Sequence, residues 1–236
     1  SIASPSRGES REGVADGGVV ATTVKRLIDE HWDDHRLFVG RASNFLCDLQ
    51  EGDEVRVTGP AGKRFLLPED PGKHDYLFFA TGTGIAPFRG MVTDLLERGV
   101  ESRVVLVMGS PYATDLLYHD EFLKLAAEHA NFTYLTAISR ERQADVDAKL
   151  YVADRLETHR DALGPLLESE RALVYLCGLA GMELGVFKAM AGSLPPALVR
   201  QYLKGEAEAL AQPDGWTRET LKKQVRPTGR VFVEVY

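Results

Sequence analysis

ATGTGIAPFR, residues 80–89, decides the fold of this chain. The apolar run Tyr76, Leu77, Phe78, Phe79 leads into it. Behind it, Phe88, Met91, Val92, Leu95 and Leu96 recur at helical spacing. The stretch reads as a strand, a Gly-Thr-Gly turn and a helix. Gly82 and Gly84 let backbone approach a pyrophosphate closely, and the helix N-terminus adds unpaired N–H groups with partial positive charge. The third glycine of the common dinucleotide fingerprint is replaced by Pro87. A first helical turn accommodates proline because its missing N–H is not needed there. Taken by themselves, the ten residues also fit an ordinary tight strand-to-helix turn.

Outward from this turn the rhythm repeats. Strand-like runs at 76–80, 104–108, 132–138 and 173–177 alternate with helical patterns at 88–97, 119–129, 153–167 and 182–191. Alternation at this spacing predicts right-handed βαβ units and a parallel sheet covered by helices on both faces. Ligands of such sheets bind beyond the C-terminal strand ends. The residues to read are therefore Thr81, Gly82 and Thr83; Gly109, Ser110 and Pro111; Ser139 and Arg140; Gly178 and Leu179. A charged, helical stretch, 194–229, precedes a last strand at 231–236.

Upstream the pattern is β-rich. Residues 19–27, 55–58 and 65–67 read as strands separated by turns at 7–18 and 31–36. Ser43, Asn44, Phe45 and Leu46 read as a short helix with a polar cap, its apolar stripe ending at Leu49. The linker-like PEDPG at 68–72 divides the chain into domains 1–70 and 71–236.

The 236 residues are 44% apolar, enough for a substantial core, and a net charge of −7 argues against nucleic acid as the main partner. No apolar run is long enough to span a membrane, and no signal peptide is evident. Two distant cysteines, Cys47 and Cys177, without a CxxC offer neither a disulfide framework nor a zinc or iron–sulfur site, so a reduced, cytoplasmic protein without its own metal is expected. His31 and His35 lie in a loop pattern lacking the Glu of HExxH, which argues against metal there.

Three further groups point to chemistry. Arg140, Lys149 and Tyr151 supply the cations, hydroxyl and ring that a 2′-phosphorylated adenosine needs, which selects NADP over NAD; the plain alternative is a solvated loop. In LCGLAGME, 176–183, Cys177 stands at a strand end where a thiol would face a ligand, or fills a core as a small apolar residue. In the terminal FVEVY, an aromatic at the chain end covers a cofactor or closes a core.

Together these residues resemble the plant-type ferredoxin–NADP reductase family along nearly the whole chain. SIAS (1–4), VKRL (24–27), SNFLCDL (43–49), GTGIAPFR (82–89), SRE (139–141), KLY (149–151), CGLAGME (177–183) and VEVY (233–236) match in order. The resemblance implies an α/β protein: a partial antiparallel FAD-binding β-barrel followed by a Rossmann-like NADP-binding domain. It implies hydride exchange between NADPH and flavin, and single electrons passed to or from a ferredoxin-like iron–sulfur protein. By this resemblance Ser1 hydrogen-bonds near flavin N5, and Cys177 sits at the hydride-transfer point. Glu234 tunes proton and electron transfer, and Tyr236 stacks on the isoalloxazine until nicotinamide displaces it. Thr23, Val24, Lys25, Arg41, Ala42 and Ser43 fall on FAD-contacting segments. Thr81, Thr83, Ser110, Pro111, Ser139, Arg140, Lys149, Tyr151, Gly178 and Leu179 fall on NADP-contacting positions.

Three departures from the family pattern stand out. The Arg-x-Tyr preceding SIAS is missing, so the chain is expected to be a piece of a longer protein. A half barrel exposes strand edges, and such a piece is expected to hold FAD poorly or aggregate. The aromatic expected soon after VKRL is replaced by Asp29 or Glu30, with Trp32 as a substitute. The 194–228 segment is longer than in chloroplast members, which suggests a multicomponent reductase such as the benzoyl-CoA epoxidase type. Alternatives are the reductase component of an oxygenase and a non-catalytic electron-transfer subunit; the presence of Cys177, Glu234 and Tyr236 speaks against the latter.

Overall fold

A computed structural model of the chain describes residues 2–6, 18–58 and 65–236. Ser1, most of the expected 7–18 turn and the stop expected at Gly59 and Pro60 lie outside the described residues.

A five-stranded parallel sheet forms the centre: β3 (Asp75–Thr81), β4 (Val104–Ser110), β5 (Phe132–Ile138), β6 (Ala172–Gly178) and β9 (Val231–Val235), in the order β5-β4-β3-β6-β9. Alternate side chains explain its two faces. Tyr76, Phe78, Ala80, Leu106, Met108, Tyr175 and Cys177 bury one face with α2 (Ile85–Glu97) and α3 (His119–Glu128). Leu77, Phe79, Val105, Val107, Val174 and Leu176 bury the other, with α5 (Arg160–Glu168), α6 (Met182–Ser193) and α7 (Pro196–Tyr202). Each fully buried Phe contributes about 1.5–3 kcal/mol of transfer free energy. Because both faces are covered, the strands read as continuous apolar runs.

The expected strands and helices of this part form, within a few residues, with one exception. The helix expected at 153–167 is two: α4 (Arg155–Thr158) follows a 3₁₀ turn at Val152–Asp154, and α5 restarts after His159, whose φ of −122° and ψ of 37° leave the helical region. Apolar spacing hides this break, since Leu156, Leu163 and Leu167 share one face with or without it. The 194–229 stretch is partly helical as expected. It also contains the short antiparallel pair β7 (Leu203–Lys204) and β8 (Arg226–Pro227), besides α8 (Ala207–Leu210) and α9 (Arg218–Lys223). It buries Tyr202, Trp216 and Val225 in the core.

The N-terminal part is sparser than the pattern predicted. Among the described residues its one ladder is β1 (Ile28–Glu30) against β2 (Leu37–Val39), across the expected 31–36 turn. Residues 19–27, 55–58 and 65–67 form no strand; Thr22 makes an isolated bridge with Ile2. β-propensity does not make a strand without a partner. Helix α1 (Arg41–Asp48) begins two residues before the expected cap, with Gly40 as N-cap. Ser43 lies inside the first turn, where its Oγ donates to Gly40 O (3.2 Å) and accepts from Leu27 N–H (3.2 Å).

Residues 2–6 dock on α2. Ser6 N–H donates to both Asp94 oxygens (3.0 and 3.1 Å), and Arg89 Nη1 donates to Ala3 O (3.2 Å). A Cβ on Gly90 would lie 2.4 Å from Ser4 O, so only glycine admits this contact. Ala3 N–H in turn donates to Ala21 O (2.8 Å), tying residues 18–27 to the same helix.

Candidate functional site at the strand ends

The strand order reverses between β3 and β6, and there the structure is tightest. Gly82 has φ +53° and open space where a side chain would be, so backbone conformation demands glycine while room above the turn is kept. Gly84 is required for the opposite reason: a Cβ would lie 2.2 Å from Cys177 O. Gly178, φ +147°, would place a Cβ 2.1 Å from Thr81 Oγ1. That hydroxyl accepts from Leu179 N–H at 2.9 Å. The turn after β3 and the end of β6 are thus fitted against each other.

The chain end closes the same corner. Cys177 and Glu234 are register partners on β6 and β9. Tyr236 N–H donates to Gly178 O (3.0 Å), and Tyr236 O accepts from Ala180 N–H (2.9 Å). The Tyr236 hydroxyl meets Thr83 Oγ1 at 2.5 Å while the residue stays 60% exposed. Burial first, and then the Glu234 carboxylate, push the Cys177 thiol up to about 12. The thiol therefore stays protonated near neutral pH and is a poor nucleophile. Glu234, with Val233, Pro87, Ser4 and Ile2, lines a cleft of about 1450 Å³ between residues 2–6, α2 and β9.

A second group gathers at the ends of β4 and β5. Ser139 N–H donates to Ser110 O and Arg140 N–H to Pro111 O, each at 3.0 Å. Arg140, Lys149 and Tyr151 are exposed on this rim. Tyr112, which sequence reasoning missed, holds Arg140: the guanidinium carbon lies 5.6 Å from its ring centroid, and Nη1 donates to its hydroxyl at 3.5 Å. An aromatic just past a strand-end proline was the available signal.

The segments expected to contact FAD lie apart from the sheet. Thr23 Oγ1 meets the Tyr118 hydroxyl at 2.6 Å, at the seam with α3. Thr23 and Val24 are half-buried; Lys25, Arg41 and Ala42 are exposed. Residues 26–27 are pinned to α1 through Arg26 to Asn44 (2.9 Å) and Asp48 (2.6 Å), and Asn44 to Leu27 O (2.9 Å). Trp32 projects from the β1–β2 turn. His35 Nδ1 faces Glu30 at 2.6 Å; among the described residues no group of three or more His, Cys, Asp and Glu could hold a metal ion.

The open turn at Gly82, ahead of a helix whose first turn has no carboxylate, suits a dinucleotide pyrophosphate. The rim of Arg140, Lys149 and Tyr151 suits a 2′-phosphate on adenosine. The carboxylate-free first turn of α1 and the exposed Tyr236 ring suit a second, flavin-type dinucleotide.

Comparison with known proteins agrees. Residues 78–188 match the family model described as "Oxidoreductase NAD-binding domain". The chain is 35% identical to the chloroplastic leaf-type ferredoxin–NADP reductase of Nicotiana tabacum, over 94% of this chain and 58% of that protein. It is 35% identical to leaf isozyme 1 of Arabidopsis thaliana, over 100% of this chain and 61% of that one. It is also 35% identical to the ferredoxin–NADP reductase of Thermosynechococcus vestitus, over 100% and 57%. The chain spans about three fifths of the length of these curated relatives. No helix among the described residues is long and apolar enough to cross a membrane. The doubly wound sheet, the glycine-fitted corner between β3 and β6 and these identities agree: the chain carries an oxidoreductase NAD-binding domain and is similar along its whole length to the ferredoxin–NADP reductases.

Proposed function

We propose that the protein is an FAD-dependent oxidoreductase that exchanges hydride with NADPH and single electrons with a ferredoxin-like iron–sulfur partner. The observation that carries this reading is the corner where Cys177, Glu234 and Tyr236 meet the Gly-Thr-Gly turn. The flavin supplies the two-electron to one-electron conversion; the protein supplies position and electrostatics. Residues 71–236 form the nucleotide-binding domain and residues 1–70 part of the FAD-binding one; the expected flavin contact of Ser1 belongs to this reading.

Thr81, Gly82 and Thr83 receive the pyrophosphate, with Ser110, Pro111, Gly178 and Leu179 around it. Ser139, Arg140, Lys149 and Tyr151 receive the adenosine 2′-phosphate and ring. Thr23, Val24, Lys25, Arg41, Ala42 and Ser43 hold the FAD, Ser43 through its backbone N–H because its hydroxyl is engaged. Cys177 keeps its proton on Sγ and acts by bulk and weak hydrogen bonding at the nicotinamide. Tyr236 covers the flavin ring position. Its backbone is clamped to Gly178 and Ala180, so the ring alone would swing aside for a nicotinamide, giving up the hydroxyl contact with Thr83. That cost falls on nicotinamide binding before the reaction. A cytoplasmic site of action belongs to this reading.

The test is anaerobic mixing of NADPH with the intact protein, followed at the flavin absorbance. Rapid bleaching, lost in Cys177→Ala and Glu234→Gln, is expected. A bound flavin that NADPH leaves oxidised overturns the reading and favours a non-catalytic subunit. kcat/KM should favour NADPH over NADH; equal values remove the assigned role of the rim. Turnover with an oxygenase component but not with ferredoxin would identify the partner as the former.

A further inference from the structure

Arg155 is the largest fully buried side chain of the described residues, only 2% exposed. A buried guanidinium is costly unless paired and hydrogen-bonded. Its Nε donates to Thr136 O (2.7 Å), and its Nη1 donates to Asp145 Oδ2 (2.5 Å) and lies 3.2 Å from His159 Nδ1. Thr136 belongs to β5, and Asp145 belongs to the loop 139–151 that carries Arg140, Lys149 and Tyr151. The buried cation therefore ties the outer part of that loop to the sheet.

The inner part of the loop is tied separately. Gln143 Oε1 accepts from Ile138 N–H (2.8 Å), its Nε2 donates to Thr136 Oγ1 (2.9 Å), and its backbone N–H donates to Ala148 O (2.9 Å). Leu150 is buried with its N–H on Ile138 O (2.8 Å), which turns its neighbours Lys149 and Tyr151 outward. The charges divide the same way. Arg155 is matched by Asp145, and Arg142 by Asp147 at 2.9 Å. Arg140 meets an aromatic ring, and Lys149 has no ion-pair partner among the described residues. Among the described residues, the two cations of this loop left without a carboxylate partner are the two on the rim.

We propose that Asp145, acting through Arg155, is a positioning residue for selection of 2′-phosphorylated nucleotides: it holds the loop so that Arg140, Lys149 and Tyr151 converge on one phosphate. This rests on the reading of the rim as the 2′-phosphate site. Without the Asp145 carboxylate, Arg155 still has Thr136 O, but the outer loop is released from the sheet. Imperfect convergence of the three side chains is expected to cost about tenfold in affinity, which corresponds to about 1.4 kcal/mol.

The experiment is calorimetric titration of the intact protein and its Asp145→Asn and Asp145→Glu variants with adenosine 2′,5′-bisphosphate and with 5′-AMP, alongside thermal melts. Asp145→Asn is expected to lose about tenfold for the bisphosphate and less than about twofold for AMP. Asp145→Glu, which keeps a carboxylate, should recover most of the loss and keeps the test decisive if Asp145→Asn does not fold. Asp147→Asn, in the exposed ion pair of the same loop, should leave both affinities unchanged. Unchanged bisphosphate affinity in a folded variant, or equal loss of both ligands, overturns the proposal. A wild-type protein that binds the two ligands equally overturns the rim reading and the proposal with it.

Discussion

Residues 18–58 and the parallel sheet both carry apolar runs and end up in opposite states. No residue from 18 to 58 is buried; Trp32, Leu37 and Val57 are among the most exposed apolar side chains of the molecule. In β3, every residue from Asp75 to Ala80 is buried. The difference is one of partners. β3 pairs on both edges and is covered on both faces, whereas β1 pairs, among the described residues, only with β2. An isolated two-stranded ribbon is marginal in water, so the first region depends on its tethers to α2 and to Tyr118. Local pattern makes elements, and only a second layer makes them stable.

The sharpest test sets two glycines of positive φ against each other. Gly178→Ala meets Thr81 in the sheet corner and should cost about 4 kcal/mol or more in denaturant titration, whereas Gly52→Ala, with open space around it, should cost about 1 kcal/mol of backbone strain. Similar values for the two would mean the corner is looser than its distances say. Next come two phenylalanines. Phe78→Ala should lose about 3 kcal/mol or more, and exposed Phe45→Ala less than about 0.5. A large loss at Phe45 would show that the open region has a layer of its own in solution.

The cysteines compare the regions chemically. Cys47 should react with a thiol reagent at least about tenfold faster than Cys177 between pH 7 and 9, a difference of about 1.4 kcal/mol. Burial and Glu234 hold the Cys177 thiol protonated throughout that range. Mass spectrometry of partially labelled protein reads both sites, and equal labelling would contradict a closed corner.

The smallest effect is the pH response of His159. Burial, then the neighbouring Arg155, lower its pKa, with Asp145 opposing. The unfolded chain therefore takes up this proton more readily, and stability falls as pH drops below about 6.5. The expected shift in Tm between pH 7 and 5.5 is under about 4 °C, and it should be missing in His159→Gln. A wild-type profile that His159→Gln leaves unchanged would place the dependence elsewhere.

The alternating runs, the GTG turn and the order of strands and helices from Tyr76 onward were legible because each depends on neighbours within a few residues. So were the strand-end residues, since a parallel sheet presents its C-terminal ends to ligand whatever its side chains. Residues 19–27 and 55–58 misled because a strand needs a partner that composition does not supply. Gln143 and Arg155 were invisible for a related reason: their partners Thr136 and Asp145 lie on a strand or across a loop. Tyr112 left one signal, its place just past a strand-end proline, but not its contact with Arg140.

By itself, then, the sequence determined that a doubly wound sheet would form and that Thr81, Arg140 and Cys177 would stand at the C-terminal ends of its strands, since periodicity and turn chemistry are local. Only the tertiary structure decided which edge β9 joins, that Glu234 registers with Cys177, and that a buried arginine braces the 139–151 loop. Those outcomes depend on contacts between residues 10 or more positions apart in the chain, whose free energy exists only once the chain has packed.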